Sequence, residues 1–225
     1  MLNKMLRLAG VAAFVAASAV TVSPAYAQAD QQKLVADAET SMTNFIKDPQ
    51  MKWLQQNLHR AKAVLIAPQI AKAGFIIGGS GGRAVLVAKD AKSGKWVGPA
   101  FYTLATASVG FQAGIEVSEM VTLVMTDKGL NSLMATSFKM GADASVAAGP
   151  VGAGAKSDIV ADLIAFSRSK GVYGGLNLDG TVVSSNTEWD SAYYGKKVLP
   201  PDILVRMNVS NKGADKLLGI LAGAK

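Results

Sequence analysis

Residues 74–87 read GFIIGGSGGRAVLV, with four glycines and a serine from Gly78 to Gly82 set between two apolar runs and Arg83 directly after. A glycine cluster beside a cation has the look of a phosphate-cradling loop. A Walker loop needs Lys and then Ser or Thr after its last glycine, opening a helix, whereas this stretch continues Arg83-Ala84-Val85. A dinucleotide fingerprint needs a helix there too. Ala84 to Val87 is apolar, β-branched and too short to be one before Lys89 and Asp90. The glycines therefore predict a hairpin turn or a sharply curved strand pair, with no nucleotide bound. Arg83, just past the turn, is left to hold a phosphate by a charge-assisted hydrogen bond or to pair with Asp90 or water.

Working outward, Leu34, Ala38, Met42, Phe45 and Ile46 recur at three- and four-residue steps, predicting an amphipathic helix over 33–46. Asp48-Pro49 ends it and opens a second, with Met51, Leu54 and Leu58 along one side. Short strands follow, 64–66 before Pro68 and then 74–77, 84–88, 101–107, 111–115, 120–125, 159–167, 171–178 and 181–184, with a polar turn at 90–94 and a helix at 128–137. Asp179-Gly180 is a hairpin signal. Glycines inside strands suit a bent sheet, so the expectation is an α+β fold: a curved, barrel-like antiparallel sheet with flanking N- and C-terminal helices. The last helix, in NKGADKLLGILAGAK, puts Ala214, Leu217, Leu218 and Leu221 on one face, either packed on the sheet or touching a membrane.

Lys4 and Arg7, an apolar run from Leu8 to Val22, and Ala25-Tyr26-Ala27 predict a secretory signal peptide over residues 1–27, cleaved before Gln28. Residues 28–225 are then a single domain. Loss of Lys4 and Arg7 lowers the formal charge from +7 to +5, an excess suited to anionic lipid head groups or other acidic envelope components rather than nucleic acid. The expected location is the periplasm or cell envelope, peripheral to the membrane.

The catalytic inventory is thin. There is no cysteine and one histidine, His59, among basic residues on a predicted helix. No G-x-S-x-G elbow or zinc-ligand spacing is present. Glu116 and Glu119 with Asp127 form the nearest thing to an acid–base set, and they read more simply as a solvated edge. The expectation is a protein that is no enzyme and carries no cofactor or metal.

Several motifs in order resemble one family: AKAGFIIGGSGGRAVLV at 71–87, KWVGPAFYTLATASVGFQAG at 95–114, AGPVGAG at 148–154, FSRSKGVYGGLNLDG at 166–180 and NTEWDSAYYG at 186–195. Together they are similar to the SYLF domain, the actin-patch or DUF500-type lipid-binding domain, over nearly the whole mature chain. The resemblance implies a non-enzymatic domain for phosphoinositides and other anionic membranes, associated in some eukaryotic members with actin. For an exported bacterial member the expected partner is an anionic phospholipid membrane surface. The alternative is a structural or protein-interaction role with an envelope protein partner.

The candidate lipid contacts are Lys52, Arg60, Lys62, Lys72 and Arg83, with Arg168 and Lys170 in the SRSK turn before Gly171. Clustering of the first five on one face favours lipid binding. Scatter favours the interaction role.

Overall fold

The computed structural model describes residues 24–74, 77–109, 114–152, 159–169, 172–173 and 178–224. The signal peptide expected over 1–27 falls almost entirely outside them, as does Lys170. Helix α1 (Pro24–Lys47) buries Val35, Ala38, Met42 and Phe45, the face that the three- and four-residue spacing predicts. The Asp48 carboxylate then accepts from the Gln50 amide at 2.8 Å, and Pro49 opens a 3-10 turn that leads into α2 (Lys52–Asn57). A second 3-10 turn, Leu58–Arg60, delivers the chain to the sheet.

The sheet begins as an antiparallel meander of β1 (Ala63–Gly74), β2 (Ile77–Lys89), β3 (Trp96–Val109) and β4 (Gly114–Val124). Its β2–β3 turn is the polar one predicted at 90–94: the Asp90 carboxylate accepts from the Ser93 amide at 2.8 Å and from its hydroxyl at 2.6 Å. The glycine stretch is not the turn. Gly78 to Gly82 run extended through β2 and pair residue by residue with β1 on one side and β3 on the other, β1 ending at Gly74 and β2 beginning at Ile77. Glycine serves instead to let backbones approach. A bulge in β1 around residues 66–70, visible as a register shift against both neighbours, brings the Gln69 carbonyl against Gly82, where a Cβ would overlap its oxygen.

Short strands extend both edges: β5 (Ser137–Lys139), β6 (Val146–Ala148), β7 (Leu163–Ser169), β8 (Val172–Tyr173) and β9 (Val182–Ser185). The described sheet has nine strands, ordered β5-β9-β3-β2-β1-β4-β7-β6, with β8 paired to β7. Every pair is antiparallel except β6 with β7, which is parallel and so departs from the purely antiparallel expectation. The curved α+β architecture with helices at both ends is as the sequence predicts. The α3 helix (Asp127–Met134) starts at Thr126, whose hydroxyl accepts from Gly129 N. The same hydroxyl donates to Asp162, which also takes the Ser145 amide and hydroxyl, and these donors hold the Asp162 carboxyl down to about 2.

Side chains alternate into two cores, one on each face. Val64, Ile66, Val85, Val87, Phe101, Leu123 and Phe166 pack beneath α1 and α2, along with Tyr193 of α4 (Thr187–Tyr194) and Leu217 and Leu221 of α6 (Asp215–Gly223). Leu65, Leu86, Tyr102, Leu104, Met120 and Phe138 form the other, closed by Leu133 of α3 and by Ile203 and Leu204 of α5 (Pro200–Leu204). The C-terminal helix thus packs its predicted face inward, with Ala214, Leu217 and Leu221 buried.

Candidate functional site

The six predicted lipid contacts among the described residues do not meet at one place. Lys62 and Lys72 bracket β1, roughly 30 Å apart at the usual rise per strand residue. Alternation sets Lys72 on the face of Ile70 and Arg83 on the face of Val85 and Val87, so those two cations point to opposite sides of the sheet. Lys62 pairs with Asp127 at 2.9 Å, and Arg60 donates to the Asn57 side chain at 3.0 Å. Lys52 is exposed at the start of α2. Arg83 does not reach Asp90; its guanidinium lies 4.3 Å from the ring centroid of Trp189.

Arg168 has another kind of position. The strand β7 runs through Ser167–Ser169, so SRSK is not a turn there, and Arg168 stands directly opposite Glu119 of β4. Its Nε donates to Glu119 at 2.6 Å and its terminal nitrogen to the same oxygen, with Asp48 at 3.7 Å and the Phe45 ring beneath. Ser41 of α1 donates to the other Glu119 oxygen at 2.7 Å. This network staples α1 to the sheet. Glu116, bonded to Ser169, belongs to the opposite face, so the two carboxylates do not form an acid–base pair. Arg168→Ala strands Glu119 half-buried without its cation and is expected to destabilise the domain by about 2 kcal/mol, whereas Lys52→Ala leaves stability unchanged; paired urea denaturation curves check both.

Cations do gather at the end of the sheet where β1 starts and β2 ends. His59 and Arg60 lie on the 3-10 turn, Lys62 precedes β1, and Lys89, Lys92 and Lys95 belong to the β2–β3 corner. The backbone ties them together: Lys89 N donates to Lys62 O at 2.7 Å, and Lys89 Nζ to His59 O at 2.7 Å. Sequence reasoning named Arg60 and Lys62 but not Lys89, Lys92 or Lys95. The signal was available in the spacing of three lysines around a predicted turn.

Two clefts flank the helices. One, of about 570 Å³, lies between α1 and β1–β3 and has Gly81 and Gly82 in its floor, Arg83 and Trp189 at one wall, and Asp30, Lys33 and Asp37 at the other. The second, of about 440 Å³, lies between α6 and the β2–β3 corner, lined by Lys89, Lys95 and Trp96 opposite Leu218, Leu221 and Ala222. Among the described residues no group of three His, Asp or Glu side chains is placed to hold a metal, and no helix is long and apolar enough to cross a membrane.

A curled sheet of glycine-bearing strands beneath a stapled helix is the setting in which the family comparison becomes decisive. The family model described as Las17-binding protein actin regulator, Ysc84, matches residues 105–224. The chain belongs to this family, the SYLF-domain proteins. It is 31% identical to Protein YSC84 of Saccharomyces cerevisiae over 171 residues, covering 73% of this chain and 36% of that protein. It is 34% identical to LAS seventeen-binding protein 3 of the same yeast over 145 residues, 61% of this chain and 31% of that one. With the human SH3 domain-containing YSC84-like protein 1 it shares 28% over 150 residues, 64% of this chain and 43% of the relative. The SYLF-like chain thus spans about a third of the length of the yeast relatives and under half of the human one.

Proposed function

We propose that this SYLF domain is a non-catalytic binding module that docks on anionic phospholipid surfaces by the cationic end of its sheet, as an exported protein of the cell envelope. The scatter of the predicted contacts by itself favours the interaction role; the observation that carries the lipid proposal is instead the convergence of Arg60, Lys62, Lys89, Lys92 and Lys95 on that end. The carboxylates nearby are already engaged, Asp90 in capping the corner and Asp127 with Lys62. Each exposed cation near an anionic leaflet contributes about 1 kcal/mol, so several at one end suffice for salt-sensitive attachment. The family supports a binding role.

Co-sedimentation with phosphatidylglycerol and phosphatidylcholine vesicles tests it. The combined Arg60→Ala, Lys92→Ala and Lys95→Ala variant is expected to bind phosphatidylglycerol vesicles about 100-fold more weakly at low salt, with a shallower salt dependence. Lys72→Ala with Arg83→Ala, which removes cations elsewhere, should bind like the parent. Equal binding by parent and triple variant at every salt concentration overturns the proposal. The reading that then stands is docking of an envelope protein, favoured by the exposed apolar side chains Leu199, Val205 and Met207 around α5.

A further inference from the structure

The groove between α6 and the β2–β3 corner combines two chemistries. One wall is cationic: Lys89 Nζ sits 4.7 Å from the Trp96 ring centroid and donates to His59 O at 2.7 Å, which fixes the ammonium in place and leaves its other protons free. Burial pushes the Lys89 pKa down, as expected for an ammonium partly withdrawn from water without a carboxylate partner. Lys95 stands beside it, and no carboxylate is among the described lining residues. The other wall is the outer side of α6: half-buried Leu218 and exposed Ala222, with only the edge of the core residue Leu221 between them.

Gly219 supplies an independent observation. It lies inside α6, exposed, at ordinary helical φ, and a Cβ built there meets no atom within 4 Å. Packing does not require glycine at this position, and a helix-interior glycine is less favourable than alanine by about 1 kcal/mol. What its missing side chain does is keep the groove open along its length.

We propose that this groove binds a single-chain anionic amphiphile, a long-chain carboxylate, with its head on the Lys89 and Lys95 ammonium groups and its hydrocarbon chain along Leu218 and Ala222 of α6. The charge complementarity selects an anion. The apolar wall is one helical stripe wide and seats one chain; the second chain of a diacyl lipid would stand in water. Binding of a dissolved amphiphile is distinct from docking on a bilayer: it shares Lys89 and Lys95 but adds the apolar wall of α6, which docking by the cationic end does not need.

Isothermal titration of the full chain with dodecanoate below its micellar concentration tests the proposal, with butyrate and dodecyltrimethylammonium as probes of chain and charge. Dodecanoate is expected to bind and the other two not. Gly219→Leu fills the groove with a better helix former, and Lys89→Met keeps the stem but removes the charge; each should weaken dodecanoate about tenfold. Ala222→Leu, at another exposed groove position, is the second filling variant and should do the same if Gly219→Leu fails to fold. Gly219→Leu should retain parental binding to phosphatidylglycerol vesicles. Absence of dodecanoate binding, equal binding of the cationic analogue, or undiminished affinity in the folded filling variants each overturn the inference. None of those outcomes touches vesicle docking, and loss of vesicle docking with dodecanoate binding intact refutes only the membrane proposal.

Discussion

At pH 8, asparagine in place of Asp190 is expected to stabilise the domain by as much as about 4 kcal/mol, taking about 1.4 kcal/mol for each unit by which the carboxyl is displaced. Asp190 is fully buried in the first turn of α4, with Oδ1 accepting from the Phe101 amide at 2.8 Å and Oδ2 meeting no hydrogen-bond partner. Burial pushes its carboxyl up to about 7, and the Phe101 amide offsets only part of that. A raised carboxyl keeps its proton in the folded state after the unfolded chain has released it. Stability therefore falls as pH rises from about 4 to about 7, and the full penalty applies above. Asparagine keeps the acceptor for Phe101 and never ionises. Urea denaturation at pH 4.5, 6 and 8 should show parent and variant converging at the acid end and separating upward. Asp162 works in the opposite sense: its lowered carboxyl contributes stability that is lost as pH falls from about 4 towards 2, equally in both proteins. A parent whose stability is flat from pH 4.5 to 8 would show that Asp190 does not behave as a buried acid.

The second large effect lies in the glycine stretch. Gly82→Ala is expected to cost about 3 kcal/mol, because the new methyl overlaps the Gln69 carbonyl oxygen and the atoms that must yield are backbone in a sheet paired on both sides. Gly81→Ala, one residue away, is the control. Its Cβ would stand 3.4 Å from the Leu104 carbonyl oxygen, an ordinary contact, and its effect should stay within about 0.5 kcal/mol. Thermal melts of the two variants separate a specific close approach from a general requirement for flexible backbone. Equal melting temperatures would contradict the role assigned to the bulge.

That contrast also shows what a single sequence makes legible. Composition and alternation carry the strands and the curved α+β class, and helical spacing carries α1 and α6, because those signals are local. The GGSGG stretch misleads as a turn because glycine's freedom at positive φ is a property of the residue, whereas the demand at Gly82 comes from a bulge in the neighbouring strand. Arg168 reads as a surface cation for the same reason. Its partner Glu119 is found by strand register, which the order of residues alone does not state. The α4 helix was not read from NTEWDSAYYG, although its marks are there: Asn186 caps it by accepting from the Trp189 amide, and Gly195 ends it at φ 68. Of the basic surface, Arg60 and Lys62 were visible as candidates, while the fold had to bring the β2–β3 corner beside them.

The α1 helix is held along its N-terminal two thirds by parts of the chain far from it in sequence. Gln28 donates to the Tyr193 carbonyl at 2.6 Å across 165 residues, Gln32 to the Gly213 carbonyl at 3.0 Å across 181, and Glu39 meets Lys216. The β1–β4 meander can assemble from neighbouring segments soon after they emerge, since its loops are short and inexpensive to close. The first helix can lay its apolar face on that meander early, but its seat also includes residues made last. In a chain synthesised from its N-terminus the seat of α1 is therefore complete only when α4 and α6 arrive, so the last contacts of the first element close the fold.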